Sequence, residues 1–243
     1  MAGPSVWVAM PTYVDLSQEI YSRHPVYFAH PDTVIWTDTT FEDSEYIFRT
    51  QSGIEEPTFT YESRTVQMSE HGPSHVDSIR HFKAGGTPID EMDLGQFHTP
   101  GKAIDVSHCD PEGYVTVEDI EAALEETGDT VEAGDTLLIH TGHYDRTYPS
   151  RAYNEQHTGL DEEASRWIIE RGVANFGVDQ PSPDNPSGTY PCHTLCTEHE
   201  VPHMENLCNI DQVVGETFTF VGFPLRLRGG TGSPIRAVAI VEE

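Results

Sequence analysis

The chain has 243 residues, enough for one domain with a substantial core, and no break in composition divides it, so we predict a single domain over residues 1–243. It carries 41 acidic and 13 basic residues, for a formal net charge of −28 at pH 7. Without a basic patch to pair with phosphates, the chain is not expected to bind nucleic acid. Because the carboxylates are spread along the whole chain, we interpret them as a halophile-type surface.

The amino-terminal segment and the cysteines suggest the cellular compartment. Residues 1–16 contain neither a charged leader nor a long apolar run, so we predict no signal peptide, no contact with a membrane and a cytoplasmic location. The four cysteines are too few and too unevenly placed for a disulfide framework in a chain of this length. We therefore expect reduced thiols.

The first part of the chain contains one predicted strand and a long irregular stretch. Residues 13–21 alternate between apolar and polar side chains, which indicates a strand. Residues 24–57 show no regular pattern and contain several aromatic side chains. Long loops of this kind are often functional, and we interpret this one as a pocket wall or a subunit contact.

Residues 71–82, HGPSHVDSIRHF, are the densest cluster of groups that can bind a metal ion or move a proton. His71, His75, Asp77 and His81 lie within eleven positions. Imidazole nitrogen with carboxylate oxygen suits zinc, manganese or iron better than calcium or magnesium. The Gly-Pro pair after His71 opposes a helix, so we predict a loop leading into a strand. In a strand, His75 and Asp77 point to the same side, and the turn can fold His71 back beside them.

Further elements follow in alternation. Capping residues and apolar spacing predict a helix between Thr116 and Glu126 and another over residues 161–171. Buried-type strands are predicted at residues 103–107, 135–141, 173–179, 216–223 and 235–241. The glycine-rich residues 224–234 match no phosphate-binding motif and are interpreted as a tight loop between the last two strands. Strand, helix and strand in this order predict an α/β fold with a partly parallel sheet.

A second metal-capable cluster spans residues 192–208, and its residue types allow two assignments. One is a closed structural zinc site, although its spacer is too short for a zinc finger. In the other, two side chains reach across the fold to the first cluster. The first assignment uses Cys192, Cys196, His199 and His203, and the second uses His193 and Glu205.

Residues 71–82 resemble the signature H-x-G-T-H-x-D-x-P-x-H-F of the cyclase family, which includes bacterial-type kynurenine formamidase and isatin hydrolase. Ser74 and Ile79 stand where the signature has threonine and proline. Four further segments of the chain are similar to stretches of the family. They are residues 15–20 (D-L-S-x-x-I), 105–108 (D-V-S-H), 177–184 (G-x-D-x-x-S-x-D) and 224–236 (P-L-x-x-x-G-x-x-G-S-P-x-R). The resemblance therefore runs along most of the chain.

The resemblance implies a swivelling β/β/α fold, with a mixed sheet or flattened barrel and flanking helices. It also favours the second assignment of the carboxyl-terminal cluster, because H-x11-E-N-L is where the family places its distant metal ligands. The implied centre holds Zn²⁺ or Mn²⁺, one or two ions per chain, with Asp77 bridging when there are two. The implied ligands are His71, His75, Asp77, His193 and Glu205.

The same resemblance implies hydrolysis of a carbon–nitrogen bond in a small-molecule amide by metal-activated water, with His81 as the proton donor and acceptor. An N-formyl aryl amide is the first expected substrate, and a cyclic amide such as isatin, or a lactone, is the alternative. The chain has no G-x-S-x-G nucleophile elbow, which disfavours a serine hydrolase. Family members suggest a homodimer or homotetramer. A non-catalytic protein stabilised by metal is the alternative of another class, although it would not need His81.

The excess of acidic residues predicts a salt-dependent stability. Salt shortens the range of surface charge repulsion from about 10 Å at 0.1 M to about 3 Å at 1 M. We expect the midpoint of thermal unfolding to be higher by at least about 4 °C in molar KCl than in dilute buffer, a shift of about 1–2 kcal/mol at this chain length. Sucrose, which strengthens folding without screening charge, is the control. Equal midpoints at both salt concentrations would contradict the halophile-type interpretation.

Overall fold

The computed structural model describes residues 11–241. Residues 1–10, on which the predicted absence of a signal peptide partly rests, lie outside the described range, as do residues 242–243. Within residues 11–241, no helix has the length and apolar character needed to cross a membrane.

The described chain contains thirteen strands and six α-helices. The strands are β1 Thr12–Asp15, β2 Val34–Thr39, β3 Ser63–Gln67, β4 His75–Asp77, β5 His98–Asp105, β6 Tyr114–Val115, β7 Thr136–His140, β8 Gly159–Leu160, β9 Asn175–Val178, β10 His203–Glu205, β11 Phe218–Val221, β12 Gly232–Pro234 and β13 Val238–Val241. The helices are α1 Phe41–Thr50, α2 Ile79–Phe82, α3 Val117–Thr127, α4 His143–Thr147, α5 Glu162–Glu170 and α6 Pro191–His199.

Internal contacts divide the chain into two compact units. Ile20–Ser69 forms the smaller one, in which β2 and β3 pair as an antiparallel ribbon next to α1. The prediction of an irregular segment over residues 24–57 is therefore wrong for β2 and α1. Thr40 and Asp43 form a reciprocal capping box at the start of α1, a sequence signal that the irregular pattern around it concealed. The single domain predicted from composition stays a prediction.

The larger unit is built on a mixed sheet of nine strands in the order β1-β13-β11-β5-β7-β9-β10-β4-β12. The four consecutive strands from β5 to β10 are parallel to one another, and the remaining pairs are antiparallel. With helices packed against it, this sheet confirms the predicted α/β fold.

Two apolar clusters cover the two faces of the sheet. Along β7, Leu137 and Ile139 join the cluster that contains α3, α5 and α6, whereas Leu138 joins the cluster on the opposite face. Every residue of β7 is buried, as expected for a central parallel strand covered on both faces. This double burial explains why the predicted strand at residues 135–141 has a continuous apolar pattern.

Most other predicted elements are confirmed, with two differences. Thr116 caps α3 as the sequence predicts, and α5 lies within the predicted helix at 161–171, with Asp161 as its N-cap residue. The predicted strand at 13–21 is shorter, because the backbone of Leu16 turns to bond both Ala237 and Cys208. The predicted loop at 224–234 contains β12, whose pairing with β4 joins residues far apart in sequence. Neither α6 nor β10 is predicted from the sequence.

Candidate metal centre

The candidate centre is built first on the pairing of two short buried strands, β4 and β10. In their antiparallel register His203 lies opposite Asp77, and Glu205 lies opposite His75. Residues two apart on a strand share a face, and directly opposite residues point to the same side of the sheet. The register therefore gathers four ligand-type side chains on one face, while the apolar residues between them are fully buried in the core.

His71 joins this group through the neighbouring strand β12. Gly232 lies opposite Asp77 in the pairing of β12 with β4. A methyl group at Gly232 would lie 2.7 Å from His71 Cε1, so the imidazole occupies the space over the glycine. His71 Nδ1 lies 2.7 Å from Asp77 Oδ1. The Gly-Pro turn thus folds His71 back beside the strand, as the spacing predicts.

The start of α6 positions His193. The fully buried Asp184 accepts hydrogen bonds from the backbone N–H groups of Cys192 and His193, at 2.8 and 3.0 Å. The same carboxylate accepts a bond of 2.6 Å from His193 Nδ1. His193 Nε2 is left facing Glu205 Oε1 at 3.9 Å. One carboxylate therefore fixes both the helix terminus and the orientation of the ring.

The two oxygens of Asp77 face different sets of imidazoles. Oδ1 lies 2.7 Å from His71 Nδ1 and 3.2 Å from His75 Nε2. Oδ2 lies 3.5 Å from His203 Nε2 and 3.6 Å from His81 Nε2. A carboxylate whose two oxygens face different sets of ligands can bind two neighbouring ions at once.

Glu205 repeats this division on the opposite strand. Its Oε2 lies 3.4 Å from His75 Nε2, and its Oε1 lies 3.3 Å from His203 Nε2. The Oε1 atom also faces His193. The oxygens of the two carboxylates thus mark two adjacent positions, which we call the outer position (Asp77 Oδ1, with His71 and His75) and the inner position (Asp77 Oδ2 and Glu205 Oε1, with His193 and His203).

Hydrogen bonds on the far side of two rings orient their other nitrogens towards the carboxylates. The Thr231 hydroxyl donates to the Glu70 carboxylate, so it accepts from His71 Nε2–H, at 2.8 Å. His75 Nδ1 donates to the Pro73 carbonyl at 2.9 Å. Nδ1 of His71 and Nε2 of His75 are therefore the nitrogens that face the carboxylates, and outer hydrogen bonds of this kind orient metal-ligating histidines.

Electrostatics in the cluster favours a bound cation. Burial opposes protonation of His75, but hydrogen bonds and charges from Asp77 and Glu205 outweigh it and raise the pKa of His75 to about 10. Burial likewise opposes ionisation of Glu205, yet hydrogen bonds from His203 and His75 bring the pKa of Glu205 down to about 2. Two carboxylates held ionised in a buried place require compensating positive charge.

His81 differs from the other histidines because it is partly open to solvent, with 34% of its side chain exposed. Burial of the rest of the ring, together with His71 and His193 nearby, lowers the pKa of His81 despite the opposing charges of Asp77 and Glu205. The ring is therefore neutral near pH 7, and a neutral imidazole can accept a proton.

The donor set fits a zinc or manganese ion, since it combines imidazole nitrogens with ionised carboxylates and lies almost wholly out of solvent. The structure brings together all six residues singled out in the sequence. It adds His203, which the sequence analysis placed only in the competing zinc site. The period-two spacing of His203 and Glu205 was the signal available for placing both in this centre. The six are His71, His75, Asp77, His81, His193 and Glu205.

The competing zinc site of the carboxyl-terminal cluster is not formed. His203 faces the carboxylates, and His199 is exposed at the end of α6. Cys192 and Cys196 are buried in the apolar cluster beneath the helix. Within residues 11–241, neither cysteine belongs to a group of side chains close enough to share an ion. Cys196 interacts with Cys192 and His203, but His199 is exposed and the four side chains do not converge on one ion.

Comparison with known proteins identifies the family of the chain. Residues 14–185 match the family described as Putative cyclase. The chain is 26% identical over 174 residues to kynurenine formamidase of Bacillus mycoides, covering 71% of this chain and 77% of the relative. It is also 26% identical over 192 residues to isatin hydrolase of Roseibium aggregatum, covering 72% and 73%.

Solved structures show the same fold. Isatin hydrolase A from Labrenzia aggregata, bound to benzyl benzoate, superposes with a TM-score of 0.78 at 23% identity, over 96% of this chain and 94% of the other. Isatin hydrolase A from Ralstonia solanacearum superposes with a TM-score of 0.79 at 24% identity, over 96% and 92%. The swivelling β/β/α architecture implied by the sequence motifs is thereby confirmed.

The role of Asp184 can be tested by Asp184→Asn, which keeps its size and removes its charge. We expect the affinity for Zn²⁺ to fall by about 10- to 100-fold, because His193 loses the carboxylate that orients its ring. Competition with a chromophoric chelator measures this affinity. Asp161→Asn at the start of α5 is the matched control and should leave it unchanged. Equal affinities for the Asp184 variant and the wild type would show that the contact does not orient the ligand.

The close approach of His71 to Gly232 predicts a steric effect of Gly232→Ala. The added methyl would also lie 3.0 Å from the Val76 carbonyl oxygen, so the metal-free protein should lose about 1–3 kcal/mol of unfolding free energy in urea titrations. Gly95→Ala is the control, since its methyl would meet its nearest neighbour, Asp93, at 3.4 Å. A Gly232 variant as stable as the control would refute this packing.

Proposed function

The chain belongs to the cyclase family, and we propose that it is a metal-dependent hydrolase that cleaves an amide carbon–nitrogen bond. The observation that carries the proposal is the arrangement around Asp77. Its carboxylate is buried between two sets of imidazoles, and the partly exposed His81 lies 3.6 Å from Oδ2 at the edge of the cluster. A metal centre with an adjacent neutral base is the arrangement of groups that a hydrolase needs to activate water.

In this proposal the ion is held by His71, His75 and Asp77, with His193 and Glu205 completing a second position when two ions are present. The chemistry that a bound zinc or manganese ion supplies is polarisation of the substrate carbonyl and a lowered pKa of water, from about 15.7 towards 7. The protein orients these ligands, through Asp184 behind His193 and Thr231 behind His71.

His81 moves the proton in both halves of the reaction. Its neutral ring takes a proton from the attacking water, whose oxygen bonds to the amide carbon. The carbon–nitrogen bond then breaks, and the protonated ring returns the proton to the departing nitrogen. An imidazole can do both because its ordinary pKa, about 6.5, lies near neutrality. The partial exposure of His81 allows a substrate to approach it.

For the substrate we propose an N-formyl aryl amide, as the name of the kynurenine formamidase relatives suggests. The isatin hydrolase relative, of equal identity, supports a cyclic amide as the second candidate. The two differ in whether the leaving nitrogen departs as a separate amine or stays attached to the product. Arg80, exposed on α2 beside the cluster, is available to pair with a substrate carboxylate.

The proposal predicts that His81→Ala binds metal but loses most of its rate. Loss of a general acid and base costs about 10²- to 10⁴-fold in kcat/KM, whereas the ligands that hold the ion are untouched. Metal content by mass spectrometry and hydrolysis of N-formylkynurenine and isatin measure the two effects separately. His199→Ala, which removes an exposed histidine of α6, is the matched control and should keep full activity.

Two outcomes would contradict the proposal. A His81 variant with the wild-type rate would leave His81 without a catalytic role. Zinc- or manganese-loaded protein that hydrolyses neither substrate would reject the proposed substrate class.

A further inference from the structure

His203 is the one buried histidine of the cluster that the favoured assignment of the carboxyl-terminal segment leaves without a role. Its side chain is fully buried, with the imidazole between two phenyl rings. The ring of Phe82 stacks on it at a centroid distance of 5.8 Å and an interplanar angle of 16°, and that of Phe176 at 5.5 Å and 22°. This stacking fixes the plane of the ring and points Nε2 at the carboxylates.

The distances from His203 Nε2 resemble those between ligands of one ion. It lies 3.5 Å from Asp77 Oδ2 and 3.3 Å from Glu205 Oε1. Both exceed the lengths of about 2.7–2.9 Å that are usual between charged nitrogen and oxygen partners. Four ligands about 2.0–2.1 Å from a zinc ion lie about 3.3–3.4 Å apart at the corners of a tetrahedron. The observed separations fit shared coordination better than a salt bridge.

His193 supplies the fourth ligand of such a tetrahedron. Its ring centroid lies 4.7 Å from that of His203, at an interplanar angle of 81°. Its Nε2 faces Glu205 Oε1, the same oxygen that His203 faces. One ligand atom from each of Asp77, His193, His203 and Glu205 lies within 4.8 Å of every other.

We infer that His203 is a metal ligand, and that it closes the inner position with a fourth protein donor beside Asp77, His193 and Glu205. Structural zinc sites are closed by four protein ligands, whereas catalytic sites keep a place for water or substrate. The inner position therefore holds its ion tightly as a structural support, and water is activated at the outer position. The inference rests on the metal centre of the proposed function but on neither of its substrates.

The location of His81 supports this division of labour. The ring centroid of the exposed His81 lies 4.2 Å from that of His71, an outer ligand, and 6.5 Å from that of His193, an inner ligand. Substrate can reach only groups that border solvent. The outer position, next to His81, meets that condition.

The test uses Zn²⁺ binding to the full chain and the variant His203→Phe. Phenylalanine keeps a stacked aromatic ring between Phe82 and Phe176 but has no nitrogen ligand. We expect the wild type to bind two ions with different affinities, and the variant to lose the tighter one by more than about 100-fold, since even groups outside the ligand set contribute 10- to 100-fold. His71→Ala should keep the tight ion and lose the weaker one.

Two controls keep the result interpretable. His199→Phe makes the same substitution at an exposed histidine and should bind both ions as the wild type does. The thermal midpoint of each metal-free protein reports folding: the His203 variant should match the wild type without zinc and lack the increase that one equivalent of zinc gives the wild type.

Cobalt substitution of the wild type gives a readout that needs no variant. One equivalent of Co²⁺ should give the intense visible absorption of a four-coordinate site. A weak spectrum, typical of five or six ligands including water, would overturn the closed position. So would a His203 variant that keeps the tight zinc ion, although the hydrolase proposal would stand. Wild-type protein that binds no zinc would overturn both.

Discussion

The described site depends on a single constraint, the burial of two ionised carboxylates side by side. Asp77 and Glu205 lie on adjacent antiparallel strands, and the registers of β4 and β10 face both into one cluster. Without compensation this would cost several kcal/mol per charge. Imidazoles surround both carboxylates and hold their pKa values down, Asp77 well below its usual range. The fold around the cluster serves mainly to bring these imidazoles to that place.

Three features of the backbone bring the imidazoles to the two carboxylates. The strand β4 carries His75 in the same pleat as Asp77, so no further support is needed for their proximity. His71 reaches the cluster because Gly232 on β12 has no side chain and leaves space for the imidazole. His193 arrives on a helix whose first turn is held by the carboxylate that orients its ring. Because the last two devices join distant segments, metal binding and tertiary structure are coupled at this site.

The sequence predicted what depends on neighbours along the chain and missed what depends on neighbours in space. The spacing of residues 71–82 was sufficient for the strand and for the placement of His71. By contrast, α6 has Tyr190 as its N-cap residue without a side-chain cap, and its first N–H groups are bonded by Asp184 instead. The local start signal is limited to Pro191 at the first helical position. His193 and Glu205 therefore came from the family resemblance, since residue types alone left two assignments open.

The position of His203 could not be predicted from the sequence either, because its role depends on the register of two strands that are distant in sequence.

The departures from the family signature were easier to interpret. Ser74 keeps the hydroxyl, which accepts from Gln18 N at 2.9 Å and donates to the Asn206 carbonyl at 2.5 Å. Ile79, in place of proline, is buried in the core beside Gly86, where a larger residue would meet its backbone. Packing thus replaces the rigidity that the ring of proline would have supplied.

The surface charge, which dominates the net charge of −28, and the charges of the buried cluster respond differently to salt. Exposed carboxylates interact through water, where molar salt limits their reach to about 3 Å. The cluster around Asp77 lies almost wholly out of solvent and is screened much less. Monovalent cations that gather at the acidic surface have little advantage in a site of imidazole nitrogens, which favours zinc or manganese. Salt can therefore act on the surface while leaving ion selection at the centre to its ligands.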